Sequence, residues 1–357
     1  MLCMYATTRR INTIDDAKRM ILNCSAMGVK KIFLLTKESG IVYYRSDIAE
    51  TDCPQGFDVY EAVCEEARKA GIETHAWFCL YIESKERPSK VVKEHPECLL
   101  VNRYGKSEVH GWGDTAWVCP SSLVYREYLS DLMEEVTEKY GVDGIHLDYV
   151  RYPDVVEGRY VCYCPTCRRK FKQEYGYELP SDDVIKNRYY ASILCDNVTE
   201  AVEHFSKLAK INNRQTSAYV FTDYVTAIEA CYQDWPYFSR FLDMIMPTLY
   251  EVSQHHAQHL IEKAKSVVAS GCQVVPAVYV NPSSKRRSKE GGNRWWRGVS
   301  TENVLSTIEG ALRGGADGIS LFLYDSLFDS ETIPTETRDK LLNGFRAFAT
   351  RFSCSTT

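Results

Sequence analysis

Residues 138–150 read EKYGVDGIHLDYV, the tail of an amphipathic helical pattern, a break at Gly141, and then a short apolar run whose alternation suits a strand. A glycine at that point fits the left-handed residue that ends a helix before a strand begins. The same junction recurs as SAMGVKKIFLLT (25–36), RKAGIETHAWFCL (68–80), VASGCQVVPAVYV (268–280) and RGGADGISLFLY (313–324). Gly28 and Gly71 stand one repeat apart, as do Gly271 and Gly314, and eight units of about 43 residues nearly exhaust the chain. LCMYATT (2–8), TSAYVFT (216–222) and FLDMIMPTLY (241–250) complete the set of strands.

Eight strands alternating with helices predict an α/β fold, a single (β/α)8 TIM barrel filling residues 1–357 as one domain. An open doubly wound nucleotide-binding sheet is disfavoured, because no strand is followed by GxGxxG or GxxxxGK[ST]. Long connections are expected after strand 3 (about 82–120), strand 4 (about 152–185) and strand 7 (about 281–300). All three leave the side where strands end, which carries the active site in such barrels.

Composition narrows the class of function. The 357 residues are 45% hydrophobic and 25% charged, the balance of a soluble globular chain. No apolar run approaches the ~18 residues of a membrane span, and the opening MLCMYATTRRI is too short in apolar residues for a secretory signal, so a cytoplasmic protein is expected. With 43 Lys and Arg against 48 Asp and Glu, the net charge of -5 offers nothing to a phosphate backbone, and neither nucleic acid nor membrane is an expected partner. The 14 cysteines, spread along a long chain without a leader, read mostly as reduced and buried.

The densest chemical signal lies in strand 4. Alternation puts His146 and Asp148 on one side, and Asp148 falls at the strand's C-terminal end with Arg151 nearby. A carboxylate so placed can act as nucleophile, proton donor or cation stabiliser. Glycoside cleavage ordinarily needs a second carboxyl group from another strand end. Glu251 after strand 6 is the first candidate, Asp325 after strand 8 the second and Asp223 after strand 5 the third.

Aromatic and polar side chains crowd the same ends: Tyr43 and Tyr44, His75 and Trp77, Trp112 and Trp117, then Tyr250, Tyr279 and Tyr324. Flat faces with a polar edge suit sugar rings. Segment 284–298, SKRRSKEGGNRWWRG, adds basic residues around Trp295 and Trp296, so an anionic sugar is a candidate substrate and the segment a candidate lid.

Cys162, Cys164 and Cys167 fall close together in the loop after strand 4, where three thiols with a fourth ligand from elsewhere would make a structural zinc site. Free thiols in a packed loop are the competing reading. HHAQH, with His255, His256 and His259, lacks the glutamate of a HExxH zinc protease. No cofactor is required for carboxylate chemistry.

With these residues in view, the chain resembles the family-10-like glycosyl hydrolases. The matching stretches are GIVYYRSDIAE, GIETHAWF, HPECLLVNRYGK, the run from Cys119 to Pro153, CYCPTCRRKF, DMIMPTLYE and DGISLFLYDSL. The resemblance implies a (β/α)8 barrel that hydrolyses sugar polymers at its C-terminal face, with Asp148 at the catalytic acidic position. Strand 4 also looks like the chitinase motif DGxDxDxE, but reads Asp143, His146, Asp148 and Val150, so the proton-donating Glu is replaced by Val150. The expected activity is hydrolysis of an oligo- or polysaccharide, with Asp148 at the oxocarbenium centre and Glu251 as acid, or the reverse. A non-catalytic carbohydrate-binding barrel, and a lyase or transferase acting on acidic sugars, are the alternatives.

Overall fold

The computed structural model describes residues 1–107, 115–153, 162–180, 188–281, 299–328 and 333–354. Its centre is a closed, all-parallel barrel. The strands are β1 (Leu2–Ala6), β2 (Lys31–Glu38), β3 (Glu73–Cys79), β4 (Gly144–Asp148), β5 (Gln215–Val220), β6 (Met244–Leu249), β7 (Gln273–Val274 with Ala277–Tyr279) and β8 (Ile319–Phe322). Each pairs with its sequence neighbours, and β1 closes the ring by pairing with β8 through Leu2↔Ile319 and with β2 through Cys3↔Lys31. Every expected strand is present.

Helices return the chain between strands. They include α1 (Ile14–Ala26), α2 (Val59–Lys69), α3 (Leu123–Tyr140), α4 (Pro165–Tyr175) and α5 (Arg188–Ile211). Local chemistry starts and stops them. Thr13 and Asp16 form a reciprocal capping box at α1, and Gly141 ends α3 with φ +62. Before β8 the left-handed residue is Gly315, at φ +88, while Gly314 stays right-handed.

The barrel interior is filled in layers. At the bottom Lys31 Nζ donates to Gln215 Oε1 (2.9 Å) and is ion-paired with Glu73, which also meets His75 Nε2 at 3.3 Å. The middle layer holds Tyr5, Phe33 and His146, whose rings pack at 4.7–5.3 Å between centroids. Above them lie Trp77, Tyr219 and Phe322, and the last inward position of β4 is Asp148. The connection after β3 carries a small antiparallel hairpin, Ile82–Ser84 with Thr115–Trp117, and that after β4 carries α4. Among the described residues no helix is long and apolar enough to cross a membrane.

Candidate active site

Asp148 ends β4 with its side chain turned into the mouth of the barrel. Oδ2 accepts the indole N–H of Trp77 at 2.9 Å, and Oδ1 accepts the backbone N–H of Tyr149 at 2.7 Å. Tyr149 itself takes left-handed backbone, at φ +50, a conformation that costs a bulky side chain about 1–2 kcal/mol. Asp148 is 6% exposed, and burial is the largest influence on its carboxyl, raising the pKa to about 6. The two hydrogen bonds and the Arg151 charge pull the other way without offsetting that burial, while the charge of Glu38 adds to the rise.

Glu38 is the acidic neighbour that sequence reading passed over. A register shift in β2 between Leu35 and Lys37 reverses the alternation there. Lys37 therefore points out of the barrel toward the following hairpin. Glu38 stands at the end of β2, level with Cys79 and through it with Asp148. It is ion-paired with Arg9 and accepts the hydroxyl of Tyr43 at 3.2 Å, while Arg9 Nη2 donates to that same Tyr43 oxygen at 2.8 Å. Nothing in KIFLLTKE announces the bulge. The only sequence signal was an acid at a strand end.

The other predicted acids stand differently. Glu251 is exposed just past β6 in left-handed backbone, at φ +54. Asp325, after β8, accepts the hydroxyl of Thr7 at 2.9 Å. Asp223 caps the helix Tyr224–Cys231, accepting the N–H of Thr226 at 2.9 Å.

Aromatic rings do gather at the mouth. Tyr250 packs on Tyr279 (5.4 Å) and Phe322 (5.9 Å), and Phe322 packs in turn on Trp77 (5.8 Å). Tyr250 also meets Tyr219 hydroxyl to hydroxyl. The guanidinium of Arg151 sits over Trp117, Tyr149 and Phe221 at 5.1, 5.1 and 5.2 Å. It also donates to the Tyr152 carbonyl at 3.0 Å. Trp117 reaches this stack from the hairpin after β3, whereas Tyr149 and Phe221 follow β4 and β5.

Four of the expected substrate-binding residues are placed in the barrel core or against the helical layer. His146 is sealed in the middle layer, bonded to Tyr5 Oη and Ser217 Oγ, both at 2.8 Å, and burial holds its pKa well below the usual range. His75 lies in the bottom layer beside Gly144, where a Cβ would sit only 2.2 Å from its ring nitrogen. Tyr44 is turned into the helical layer, donating to Glu135 Oε2 at 2.8 Å and packing on Tyr60 and Tyr140. Its neighbour Tyr43 is the one that faces the site. Tyr324 accepts from Asn23 Nδ2 at 3.0 Å and stacks on Phe328, beside α1. Trp112, Trp295, Trp296 and the whole of segment 284–298 lie outside the described residues.

Cys162, Cys164 and Cys167 converge with a fourth thiol, Cys119, and their four sulfurs lie within 4.8 Å of one another. Cys119 sits two residues after Trp117, remote in sequence from the other three. A shared Cys-Pro pair, at 119–120 and 164–165, was the available hint. His255, His256 and His259 are exposed on the helix Gln254–Val267.

Comparison with known proteins agrees with this architecture. The chain is 23% identical over 205 residues to glycosyl hydrolase YngK of Bacillus subtilis, covering 56% of this chain and 36% of that protein. It is 21% identical over 159 residues to glycosyl hydrolase DigH of Escherichia coli (strain K12), covering 40% of this chain and 34% of that protein. The chain thus spans about a third of the length of these curated relatives. Among solved structures, the glycoside hydrolase domain of PgaB (BpsB) from Bordetella bronchiseptica superposes with a TM-score of 0.70 at 12% identity, over 95% of this chain and 98% of that one. The catalytic domain of beta-amylase from Paenibacillus polymyxa gives 0.69 at 13% identity, over 98% of each chain. At such identities the likeness concerns the fold. The family described as glycosyl hydrolase-like 10 matches residues 4–282, most of the barrel with Asp148 and Glu38 inside it, and the chain belongs to that family.

Proposed function

We propose that the protein is a glycoside hydrolase that cleaves an O-glycosidic bond in an oligo- or polysaccharide, with Asp148 as proton donor and Glu38 as the second carboxylate. The observation that carries the reading is the state of Asp148, a carboxyl buried at the end of a barrel strand, beside an indole donor, with its pKa raised to about 6. Such a group still holds its proton where an ordinary aspartate has lost it, as leaving-group protonation requires. Family membership and the barrel fold support the same class of reaction.

Glu38 and Asp148 stand two strands apart at one level, so their Cα atoms are separated by about 9.6 Å at the usual strand spacing. In this reading Glu38 is the base of the pair and activates a water molecule standing between its carboxylate and the sugar. Asp148 gives its proton to the glycosidic oxygen as the bond to the anomeric carbon breaks. Glu38 takes a proton from the water that adds to that carbon. Tyr250, Tyr279 and Trp77 present ring faces and edges for the sugar, and the stacked Arg151 offers a cation to its oxygens.

The test is release of reducing ends from a glycan panel by the parent, Asp148→Asn, Glu38→Gln, Glu251→Gln and Asp325→Asn. Asp148→Asn and Glu38→Gln are each expected to lose on the order of 10²–10⁴ in kcat, with much smaller losses in the other two. In the parent, kcat/KM should fall as pH rises above about 6, where Asp148 loses its proton. Undiminished turnover in Asp148→Asn would remove the assignment. Glycan binding by the parent with no turnover would favour a binding barrel instead.

A further inference from the structure

The four-thiol cluster lies apart from the barrel mouth and has no part in the chemistry above. It is built from two pieces of chain. Cys119 precedes α3, and Cys162, Cys164 and Cys167 lead into and begin α4. All four are at most 4% exposed. Cys119 Sγ lies 3.6 Å from Cys167 Sγ and 3.9 Å from Cys164 Sγ. Those separations far exceed the ~2.05 Å of a disulfide. Four sulfurs placed tetrahedrally at ~2.3 Å from one zinc ion stand about 3.8 Å apart, a value that the two Cys119 separations bracket.

Polar groups crowd around the sulfurs. Cys164 is the residue capping α4, where the helix N-terminus favours negative charge, and its Sγ faces the N–H of Cys167 at 3.5 Å. Ser121 Oγ lies 3.1 Å from Cys119 Sγ, and Tyr152 Oη lies 3.6 Å from the same sulfur. Asn197 Nδ2 donates toward Cys167 Sγ at 3.8 Å, while its Oδ1 accepts from Lys170 Nζ at 2.7 Å, which holds the amide with its donor side toward the sulfur. Outer donors of this kind orient and partly neutralise a tetrathiolate site, whose net charge with a divalent ion is negative. Among the described residues, no other group of three or more His, Cys, Asp or Glu side chains gathers with ligand spacing.

We infer that Cys119, Cys162, Cys164 and Cys167 bind one structural zinc ion that staples the loop after β4 to the segment after the Trp117 hairpin. Four protein sulfurs close the coordination sphere, so the ion has no open position and acts on shape alone. Its effect reaches the mouth of the barrel by covalent continuity. Trp117 lies two residues before one ligand, and Tyr152, which contacts Cys119, follows Arg151 directly.

Elemental analysis of the full chain purified without added metal tests this directly, with about one zinc per chain expected. Titration with an organomercurial in the presence of a chromophoric chelator should release that zinc as four thiols react. Cys119→Ser and Cys164→Ser should retain less than a tenth of it, whereas Cys53→Ser, outside the cluster, should retain all of it. Cobalt introduced in place of zinc should show the charge-transfer and visible bands of a tetrahedral thiolate complex. Zinc near zero in the parent overturns the inference whether or not the variants fold. So does iron in place of zinc, or a mass lower by two hydrogens that marks a disulfide among the four.

Discussion

Asp148 carries a stability cost that follows from the same burial on which its proposed role rests. Its pKa is raised in the folded chain to about 6 from 3.8, so the folded state holds a proton that the unfolded state gives up in that interval. Stability from this residue is therefore present below pH 3.8 and lost as pH rises through about 6. The shift corresponds to about 3 kcal/mol of penalty for the buried charge at neutral pH. Asp148→Asn, which never ionises, should gain about that much relative to the parent between pH 4 and pH 7, read from denaturant unfolding at both values. A pH-independent difference would show that the carboxyl is not desolvated in the native state. The position of this residue at the end of β4 was legible from alternation alone. That His146, two residues earlier on the same face, is core was not, because alternation fixes the side of a strand and not the depth in a barrel.

At the scale of elements, the end of β2 shows why Glu38 escapes a reading by alternation. The bulge between Leu35 and Lys37 sends Lys37 outward. There its ammonium lies 3.1 Å from the Cys79 carbonyl, 3.2 Å from that of Ile82, 2.9 Å from Tyr125 Oη and 3.4 Å from Glu83 Oε1. Lys37 and Glu83 are both fully buried, so this ion pair anchors the hairpin that delivers Trp117. Removing one partner leaves an uncompensated charge, and Lys37→Met should cost about 3–5 kcal/mol in chemical unfolding. Lys37→Met combined with Glu83→Gln should recover part of that loss, because the neutral amide leaves no buried charge, although its single oxygen can accept from Tyr125 or from the N–H of Ser89 and not from both. A single-variant cost below about 1 kcal/mol would mean that the hairpin is held by other contacts. Alternation predicts sidedness only while a strand stays regular, and a bulge inverts it without a mark in composition.

At the scale of the whole molecule, the buried apolar residues form one continuous cluster that runs from β1 to the C-terminal helix Thr335–Cys354. The barrel closes only when β1 has joined both β2 and β8. One cooperative unfolding transition is therefore expected, with tryptophan fluorescence and far-ultraviolet circular dichroism superimposing. Two separated transitions would contradict the single-domain reading of residues 1–357. Local pattern sufficed for the eight strands, the helix-ending glycines and the position of Asp148, because the 3.6 and 2 residue periods and the demand for positive φ are properties of neighbouring residues. Which acid shares a level with Asp148, which aromatics open to the mouth and which are spent on the core, and where the cysteines find Cys119, were set by the closure of the ring. Those relations join residues scores of positions apart, and only the packed barrel brings them within contact distance.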